Sequence, residues 1–443
     1  MDRERAETHL RLLAEAELRR AAKEPVGNGP DRWFSARFVE ASQALIAADA
    51  VGADVADEIE ADMDLAVAAR RRLSIRGPGP GRLQAAPQRT AWRAVPVDQV
   101  IKIWDGDFRR NLPLVAYVQS AGGARLVATE WAFRPFTIAA VDDRGVSYQV
   151  SWRGEMAPRE LLLHPDPAHQ IRWLDLTTAA GEPATRIDLN SRVPAPDVIV
   201  TRNAIGPGEI LLDAIAARIL TDAARFWQSI PGQPNAASTE LRALGDGPGR
   251  LVAALDAAGL LPPDSQGPGQ LAALCARLGL DGHGITAPPA GDLPERWRGM
   301  LTRRREPQAP PASGILAATV AELPELDGAK IAIAGLHHGT RGTILHLLAT
   351  GVTLETGWPY GIRPLPVVWI RDSYGRWHVT DPDGLASPWG HNGTNPWMDT
   401  RMVTAWLRIV PPLDRNTAWI EISVAGRSAQ IQATLPLRIR DTS

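Results

Sequence analysis

Three histidines, His337, His338 and His346, form the densest group of metal-binding side chains in the sequence. If residues 339–342 form a hairpin turn, His346 lies opposite Gly335. His337 and His346 are then diagonal neighbours on one face of the hairpin, roughly 7 Å apart, and His338 points to the other face. Two histidines with no carboxylate beside them make an incomplete metal site. We therefore expect packed or solvent-facing histidines, and we predict no bound metal and no other cofactor.

The sequence lacks the common short motifs of enzyme active sites. The sequence has no Gly-x-Ser-x-Gly, no His-Glu-x-x-His and no phosphate-binding loop ending in Gly-Lys-Ser/Thr. The glycine-rich residues 245–249 follow no predicted strand and contain a proline, which indicates a turn. Asp381 and Asp383 belong to Asp-Pro-Asp-Gly, a common turn composition. The single cysteine, Cys275, occupies an apolar helical position, which predicts a buried thiol. We assign no catalytic residue and favour a protein that is not an enzyme.

Tryptophan is abundant, with 15 residues in the chain. Trp173, Trp377 and Trp419 occupy repeated positions, where we expect core packing. His378 follows Trp377, so it should point outward, away from the core. A further group lies among Gly, Pro and Asn in predicted loops, where tryptophan can stack on a sugar or anchor a protein partner. Its members are Trp358, Trp389 and Trp397.

An internal repeat predicts the elements that position these residues. The sequence of 173–177, WLDLT, resembles that of 419–423, WIEIS, and two further matches precede it in the same order. Three ordered matches indicate a duplicated domain. Equivalent alternation implies equivalent strand pairing. The two further matches are 143–151 with 372–380 and 134–136 with 363–365, and the predicted superposition of 93–195 on 316–440 places Trp173 over Trp419 and Tyr148 over Trp377.

The two copies differ in length at two places. The second copy gains 17 residues between Thr380 and Trp419 and 8 residues before Arg363. These insertions enter and leave one antiparallel strand pair, so they should lie at the same end of the domain. Function resides preferentially in loops held by a rigid scaffold, which predicts one surface for ligand or partner contact. It comprises Trp358, Tyr360, Arg363, Trp389, His391, Asn392 and Trp397. The alternative is that the longer loops only cover the sheet edge and pack their own tryptophans.

Alternating and helical patterns predict an α+β multidomain fold. It consists of two tandem antiparallel β-sandwich domains, a helical N-terminal region, and a helical module between the sandwiches. The predicted boundaries are a helical N-terminal region at 1–74, a Gly/Pro linker at 75–92, the first sandwich at 93–197, the helical module at 206–303, a second linker at 304–315 and the second sandwich at 316–440.

The N-terminal region reads as three helices with apolar stripes. The second carries Phe34, Phe38 and Leu45, and the third carries Ile59 and Met63. Three short helices bury little area alone. We expect them to dock on the first sandwich or on another protein. In the helical module, the helix containing Cys275 offers only Arg277 as a basic residue, which argues against a DNA-reading helix.

Composition places the chain in the soluble globular class. It has 443 residues, 44% of them hydrophobic and 22% charged, with a formal net charge of −2. The balanced charge gives no reason to expect nucleic acid or an anionic membrane as partner. Only three of the 48 basic residues are lysine, and Ala, Gly and Pro are frequent, which is typical of a bacterial genome rich in G and C. The sequence begins MDRER without a signal-peptide pattern, so we predict a cytoplasmic protein.

The leading functional hypothesis is an uncharacterised non-enzymatic protein-interaction or regulatory protein with a protein partner. An exposed apolar patch on the helical N-terminal region would favour it. The alternative is a small-ligand or carbohydrate binder, or an enzyme, that uses the long loops of the C-terminal sandwich. A deep pocket with convergent polar groups among those loops would favour the alternative.

Overall fold

Two antiparallel sheets and seven helices, all within the described residues, make up the computed structural model. The chain is therefore an α+β protein, as the sequence predicts. The structure describes residues 3–23, 36–48, 50–71, 92–105, 108–120, 123–128, 138–153, 160–165, 167, 170–178, 184–190, 197–202, 206–229, 247–280, 284–302, 314–317, 320–326, 330–339, 342–350, 367–382, 402–426 and 429–437.

The helices lie in two groups along the chain. The three predicted N-terminal helices are present, and four more lie between residues 202 and 314 of the chain. They are α1 (Arg3–Lys23), α2 (Ala36–Ala47), α3 (Ala53–Arg71), α4 (Pro207–Ser229), α5 (Gly247–Ala257), α6 (Gly267–Arg277) and α7 (Glu295–Thr302).

The strands also form two runs, one before α4 and one after α7. The first run is β1 (Trp92–Asp105), β2 (Phe108–Ser120), β3 (Gly123–Ala128), β4 (Ile138–Asp142), β5 (Ser147–Arg153), β6 (Glu160–His164), β7 (Trp173–Thr177), β8 (Thr185–Asp188) and β9 (Asp197–Arg202). The second is β10 (Gly314–Ala317), β11 (Ala321–Glu322), β12 (Lys330–Gly339), β13 (Gly342–Thr350), β14 (Val367–Asp372), β15 (Trp377–Pro382), β16 (Met402–Val410), β17 (Trp419–Ala425) and β18 (Ala429–Pro436).

The first sheet has the strand order β1-β2-β3-β6-β5-β4-β7-β8 and curls until its two ends meet. Arg93 of β1 bridges the ends, because its Nη1 and Nη2 donate to the carbonyls of Ile171 and Leu189, each at 2.8 Å. Inward side chains from every strand fill the curl with one apolar core that includes Tyr117 and Leu174. Alternating residues on a curled sheet supply such a core because successive side chains face opposite sides.

The second sheet has the order β10-β12-β13-β16-β15-β14-β17-β18-β9, with β11 paired to β12. The C-terminal strand β18 alternates as the sequence predicts, with Ile431, Ala433 and Leu435 buried. The edge strand β9 precedes the helical module in the chain but belongs to this second sheet.

Corresponding strands follow the same order in both sheets. Replacing β1, β2, β3, β6, β5, β4, β7 and β8 with β10, β12, β13, β16, β15, β14, β17 and β18 converts the first order into the second. The pairing of Asp142 with Leu174 and of Asp372 with Ile420 places Trp173 and Trp419 at equivalent positions.

The predicted match of Tyr148 with Trp377 is wrong by one residue. Tyr148 pairs with Ala140, and its counterpart by register is His378, which pairs with Ile370. A shift of one residue moves a side chain to the other face of the sheet. His378 is therefore fully buried on the inner side instead of pointing outward.

The predicted core placement of the repeated tryptophans is also wrong. Leu174 and Ile420 point inward, so the adjacent Trp173 and Trp419 point outward, and Trp419 is 38% exposed. The guanidinium of Arg186 stacks over Trp173 at 3.8 Å from the ring centroid. Trp377 is half-buried against the helices.

In the described part of the chain, the N-terminal helices pack against the helical module. The sequence had predicted docking on the first sandwich or on another protein, and neither alternative named this module. One apolar cluster joins α1, α2 and α3 to α4–α7, and α2 packs against α5. Phe38, Leu45, Ile59 and Met63 are buried in it, which explains their spacing. Cys275 lies in the same cluster, and burial raises the pKa of its thiol to about 12, as expected for a packing residue.

Of the predicted turn at 245–249, residues 247–249 begin a helix instead, and residues 245–246 lie outside the described residues. Gly247, Pro248 and Gly249 form the first turn of α5, and a second Gly-Pro-Gly begins α6 at Gly267. Proline suits the first helical turn because its missing N–H has no partner there. A Cβ on Gly267 would lie 2.5 Å from Leu212 of α4, so glycine permits the close approach of these helices.

The two sheets contact each other through outward residues of β2 and β3 against β10, β12 and β13. Small side chains allow this approach. Gly335 lies at a register shift in β12 with a φ of +142°, and a Cβ there would lie 3.3 Å from the Cβ of Val115. The cluster comprises Val115, Ala116, Val118, Val127, Ile315, Ala332, Ala334 and Leu348.

Candidate interaction sites

All seven residues of the predicted contact surface, Trp358, Tyr360, Arg363, Trp389, His391, Asn392 and Trp397, lie outside the described residues. The strands that flank them are described. Thr350 of β13 pairs with Met402 of β16, and Pro382 of β15 pairs with Leu407 of β16. β14 and β15 also pair antiparallel. The strand ends that flank the two connections, β13 to β14 and β15 to β16, therefore lie at one end of the second sheet.

The predicted geometry of the histidine group is confirmed. His338 lies opposite Thr343 and His346 lies opposite Gly335. His337 Nδ1 and His346 Nε2 are 2.8 Å apart, and both rings are buried beside the contact between the sheets. His338 Nδ1 lies 3.0 Å from the Thr343 hydroxyl, and burial lowers the pKa of His338. Among the described residues, no three side chains of His, Cys, Asp or Glu converge as a metal site would require.

Asp372 organises the β14–β15 hairpin. Its Oδ1 accepts hydrogen bonds from the backbone N–H groups of Tyr374 and Arg376, and its Oδ2 accepts one from Arg376 Nε at 2.7 Å. His378 Nε2 lies 3.4 Å from the same Oδ2, while His378 Nδ1 lies 2.7 Å from the carbonyl of Pro411. The Asp372 carboxylate and the Pro411 carbonyl can only accept hydrogen bonds. A protonated His378 imidazole donates from both nitrogens and so satisfies both acceptors.

The corresponding hairpin of the first sheet uses the same device. Asp142 Oδ1 accepts hydrogen bonds from the N–H groups of Arg144 and Val146, and Oδ2 accepts one from the Tyr148 hydroxyl at 2.7 Å. Burial and this hydrogen bond raise the pKa of Tyr148. Tyrosine in one sheet and histidine in the other thus fill the same position. In both hairpins the carboxylate stabilises a turn, which is a structural task.

A third buried carboxylate, Asp213 of α4, connects helices to the second sheet. Its Oδ1 accepts hydrogen bonds from Arg296 Nε at 2.9 Å and Trp297 Nε1 at 2.8 Å, both on α7. Its Oδ2 accepts one from Trp369 Nε1 of β14 at 2.8 Å. Three donors leave this buried carboxylate well satisfied. No sequence pattern indicated this group, because its members lie up to 156 residues apart.

The edge strand β9 of the second sheet exposes two large apolar side chains. It pairs only with β18, from Asp197 with Thr434 to Ala429 with Arg202. Ile199 is 61% exposed and Val200 is 50% exposed. Because these neighbours point to opposite faces, both faces of the strand meet solvent.

A charged residue lies at each end of the strand β9. Asp197 and Arg202 close a neutral stretch of Val, Ile, Val and Thr. The run of β-branched residues at 198–201 is typical of a strand, so the sequence contained a signal for β9. The predicted first sandwich ended at 197, one residue before this run, and no local pattern indicated that the partner of β9 was the C-terminal strand.

No protein-family model, curated protein or solved structure matches the chain. Among the helices that the structure describes, none has both the length and the apolar character needed to cross a bilayer.

Proposed function

We propose that the chain is a non-enzymatic protein-interaction protein, and that the free edge of β9 is its docking element. One observation carries the proposal: β9 ends the second sheet with Ile199 and Val200 exposed on its two faces. Natural proteins usually protect edge strands with charge, proline or bulges. The central residues of β9 include none of these features, and its register with β18 is continuous.

An extended segment of a protein partner fits this edge. The outer side of an edge strand presents backbone N–H and C=O groups that a further strand can pair with. Apolar side chains of the partner could then pack beside Ile199 on one face and Val200 on the other. Asp197 and Arg202 at the two ends would favour complementary charges and so fix the register. This proposal includes a cytoplasmic location. Nucleic acid and membrane are not proposed as partners, because the net charge of −2 favours neither.

We also propose that the two sheets are tandem sandwich domains that arose by duplication. The common strand order supports this origin, as does the use of Asp142 and Asp372 in equivalent hairpins. Duplication would give two similar scaffolds, of which only the second carries β9 and the longer segments 351–366 and 383–401. Functional divergence of the second copy follows from these additions.

A second candidate function uses those longer segments. The strand ends that flank them share one end of the second sheet, which favours a common ligand-binding surface for a small ligand or carbohydrate, or an active site. An Arg363→Ala variant that binds every partner normally but loses a ligand would favour this second function over docking at β9.

The test of the docking proposal replaces both exposed apolar residues of β9 with lysine. Partners captured by the full-length Ile199→Lys/Val200→Lys variant would be quantified by mass spectrometry against those captured by the wild type. The matched control is Val146→Lys, which changes a valine that is 39% exposed on the first sheet. Thermal unfolding checks that both variants remain folded.

We expect the β9 variant to lose at least one partner that the control retains, with affinity falling about tenfold or more. Each such partner is then purified and its segment protected from hydrogen exchange is mapped. Capture of the same partners by a folded β9 variant would refute the proposal. A protected segment that is helical would also count against strand pairing.

A further inference from the structure

The C-terminal ends of three helices surround a cleft of about 270 Å³ on the helical module. Its size is close to the lower limit of small-molecule pockets, roughly 300 Å³. It lies away from β9, and its residues belong to α4, α6, α7 and the position after α6. They are Trp227, Arg277, Leu278, Arg298, Leu301 and Thr302.

Arg277 and Arg298 are the charged side chains in the described lining of the cleft. Among the lining residues that the structure describes, none is acidic. Within the described part of the chain Arg298 is exposed and forms no ion pair, and Arg277 donates a single hydrogen bond at 3.2 Å to the carbonyl of Gly291. Guanidinium groups with free donors are suited to a carboxylate, sulfonate or phosphate, which they can bind through two parallel hydrogen bonds.

Two other arginines of the same module form ion pairs. Arg218 forms an ion pair with Asp222, and Arg296 forms one with Asp213, each at 2.9 Å. Within the described residues, Arg277 and Arg298 form no such ion pair. Helix C-terminal ends carry partial negative charge, and arginine can stabilise them. That structural task is the competing explanation, and it predicts no ligand.

Apart from the two arginines and Thr302, the described lining is apolar and partly buried. Trp227, Leu278 and Leu301 all pack against the helical core. An indole ring offers a flat apolar surface of large area. The cleft therefore combines an apolar wall with cationic groups that reach solvent, a combination typical of sites for small amphipathic anions.

We propose that this cleft binds a small organic anion with a planar apolar body, of the aromatic carboxylate or sulfonate class. The apolar body lies against Trp227 and the two leucines, and the anionic group accepts hydrogen bonds from Arg277 and Arg298. The proposal is independent of docking at β9, since it uses different elements.

The test compares two probes of similar shape and different charge, 1-naphthoate and 1-naphthalenemethanol, by calorimetric titration of the full chain. We expect saturable binding of 1-naphthoate with a dissociation constant on the order of 1 mM or tighter. The neutral alcohol should bind at least about tenfold more weakly, because it cannot accept charge-assisted hydrogen bonds from two guanidinium groups.

Three variants locate the binding. Arg277→Gln/Arg298→Gln should weaken 1-naphthoate binding about tenfold or more, and Trp227→Leu should weaken both probes. The matched control is Arg172→Gln, which removes a highly exposed arginine on the first sheet and should leave binding unchanged. If the arginines only stabilise helix ends, the double variant loses thermal stability while the wild type binds neither probe, and the proposal fails. Equal binding of the two probes by the wild type would also overturn it.

Discussion

At the residue scale, the buried carboxylate of Asp372 is stabilised by its hydrogen-bond partners. Burial alone raises the pKa of Asp372, but the hydrogen bond and charge of His378 and the hydrogen bonds from Arg376 lower it to about 2. Asp372 is fully buried, so its contribution to stability depends on remaining ionised.

The pH dependence of stability tests this arrangement. The pKa of Asp372 is lower in the folded chain than the ordinary value of 3.8. Its stabilising contribution is therefore fully present above pH 3.8 and is lost as the pH falls towards 2. We expect Asp372→Asn to reduce the free energy of unfolding by about 1–2 kcal/mol at pH 6, with the difference from wild type shrinking between pH 3.8 and 2. Urea unfolding at a series of pH values measures it, and a constant difference would contradict the assignment.

At the scale of elements, α7 shows how one missing side chain sets the distance between a helix and a sheet. A Cβ at Gly299 would lie 2.7 Å from Cδ1 and 3.4 Å from Cβ of Trp377. In an exposed helix, Gly→Ala stabilises by about 1 kcal/mol. Here the clash outweighs that gain, because overpacking costs about 1–3 kcal/mol.

We expect Gly299→Ala to destabilise the chain by about 1–2 kcal/mol in chemical denaturation. Gly291→Ala is the matched control, since a Cβ there meets no atom within 4 Å. The control should change stability by less than about 0.5 kcal/mol. A stabilised Gly299→Ala variant would indicate that α7 shifts freely on β15.

The sequence predicted element types well where periodicity extends over several residues. The stripes of α2 and α3 and the alternation of β18 all follow the predicted faces. It failed where one residue decides the outcome, as with His378, whose inward position depends on hairpin register. Both faces of β15 are covered, by the sheet core and by helices, so hydrophobicity could not distinguish them.

The helix α7 and the cleft were not predicted, for reasons of length and sequence separation. The helix α7 has only eight residues and contains two arginines, so its periodic signal is brief. The cleft also lay beyond prediction, because Trp227 and Arg298 approach only when α4 and α7 pack. The predicted surface around Trp358 and Trp389 remains a prediction, and only the strand ends that flank it are described.

At the scale of the whole molecule, we expect the apolar contact between the sheets to make them unfold together. Val115 is fully buried in it. A charge placed there without a partner costs several kcal/mol. We expect Val115→Asp to split a single calorimetric unfolding transition into two, because the sheets lose their common apolar contact.

Val146→Asp serves as the control for this variant, because Val146 is 39% exposed in the connection between β4 and β5 of the same sheet. It should keep one transition with a stability change of less than about 0.5 kcal/mol. Limited proteolysis between the transitions should release fragments of the Val115→Asp chain only. A single transition in that variant at the wild-type temperature would mean that the contact contributes little.

The position of β9 in the chain has a consequence for biosynthesis. Thr201 of β9 and its contact Gln430 of β18 are 229 residues apart. At translation rates of about 5–20 residues per second, roughly ten to fifty seconds separate the synthesis of these strands. During that interval β9 has been made but β18 has not, and a β-branched segment waits in the nascent chain without the strand that fixes its register. Delayed pairing of this kind favours binding by chaperones at 197–202, and a ribosome stalled before β18 should display that segment to them.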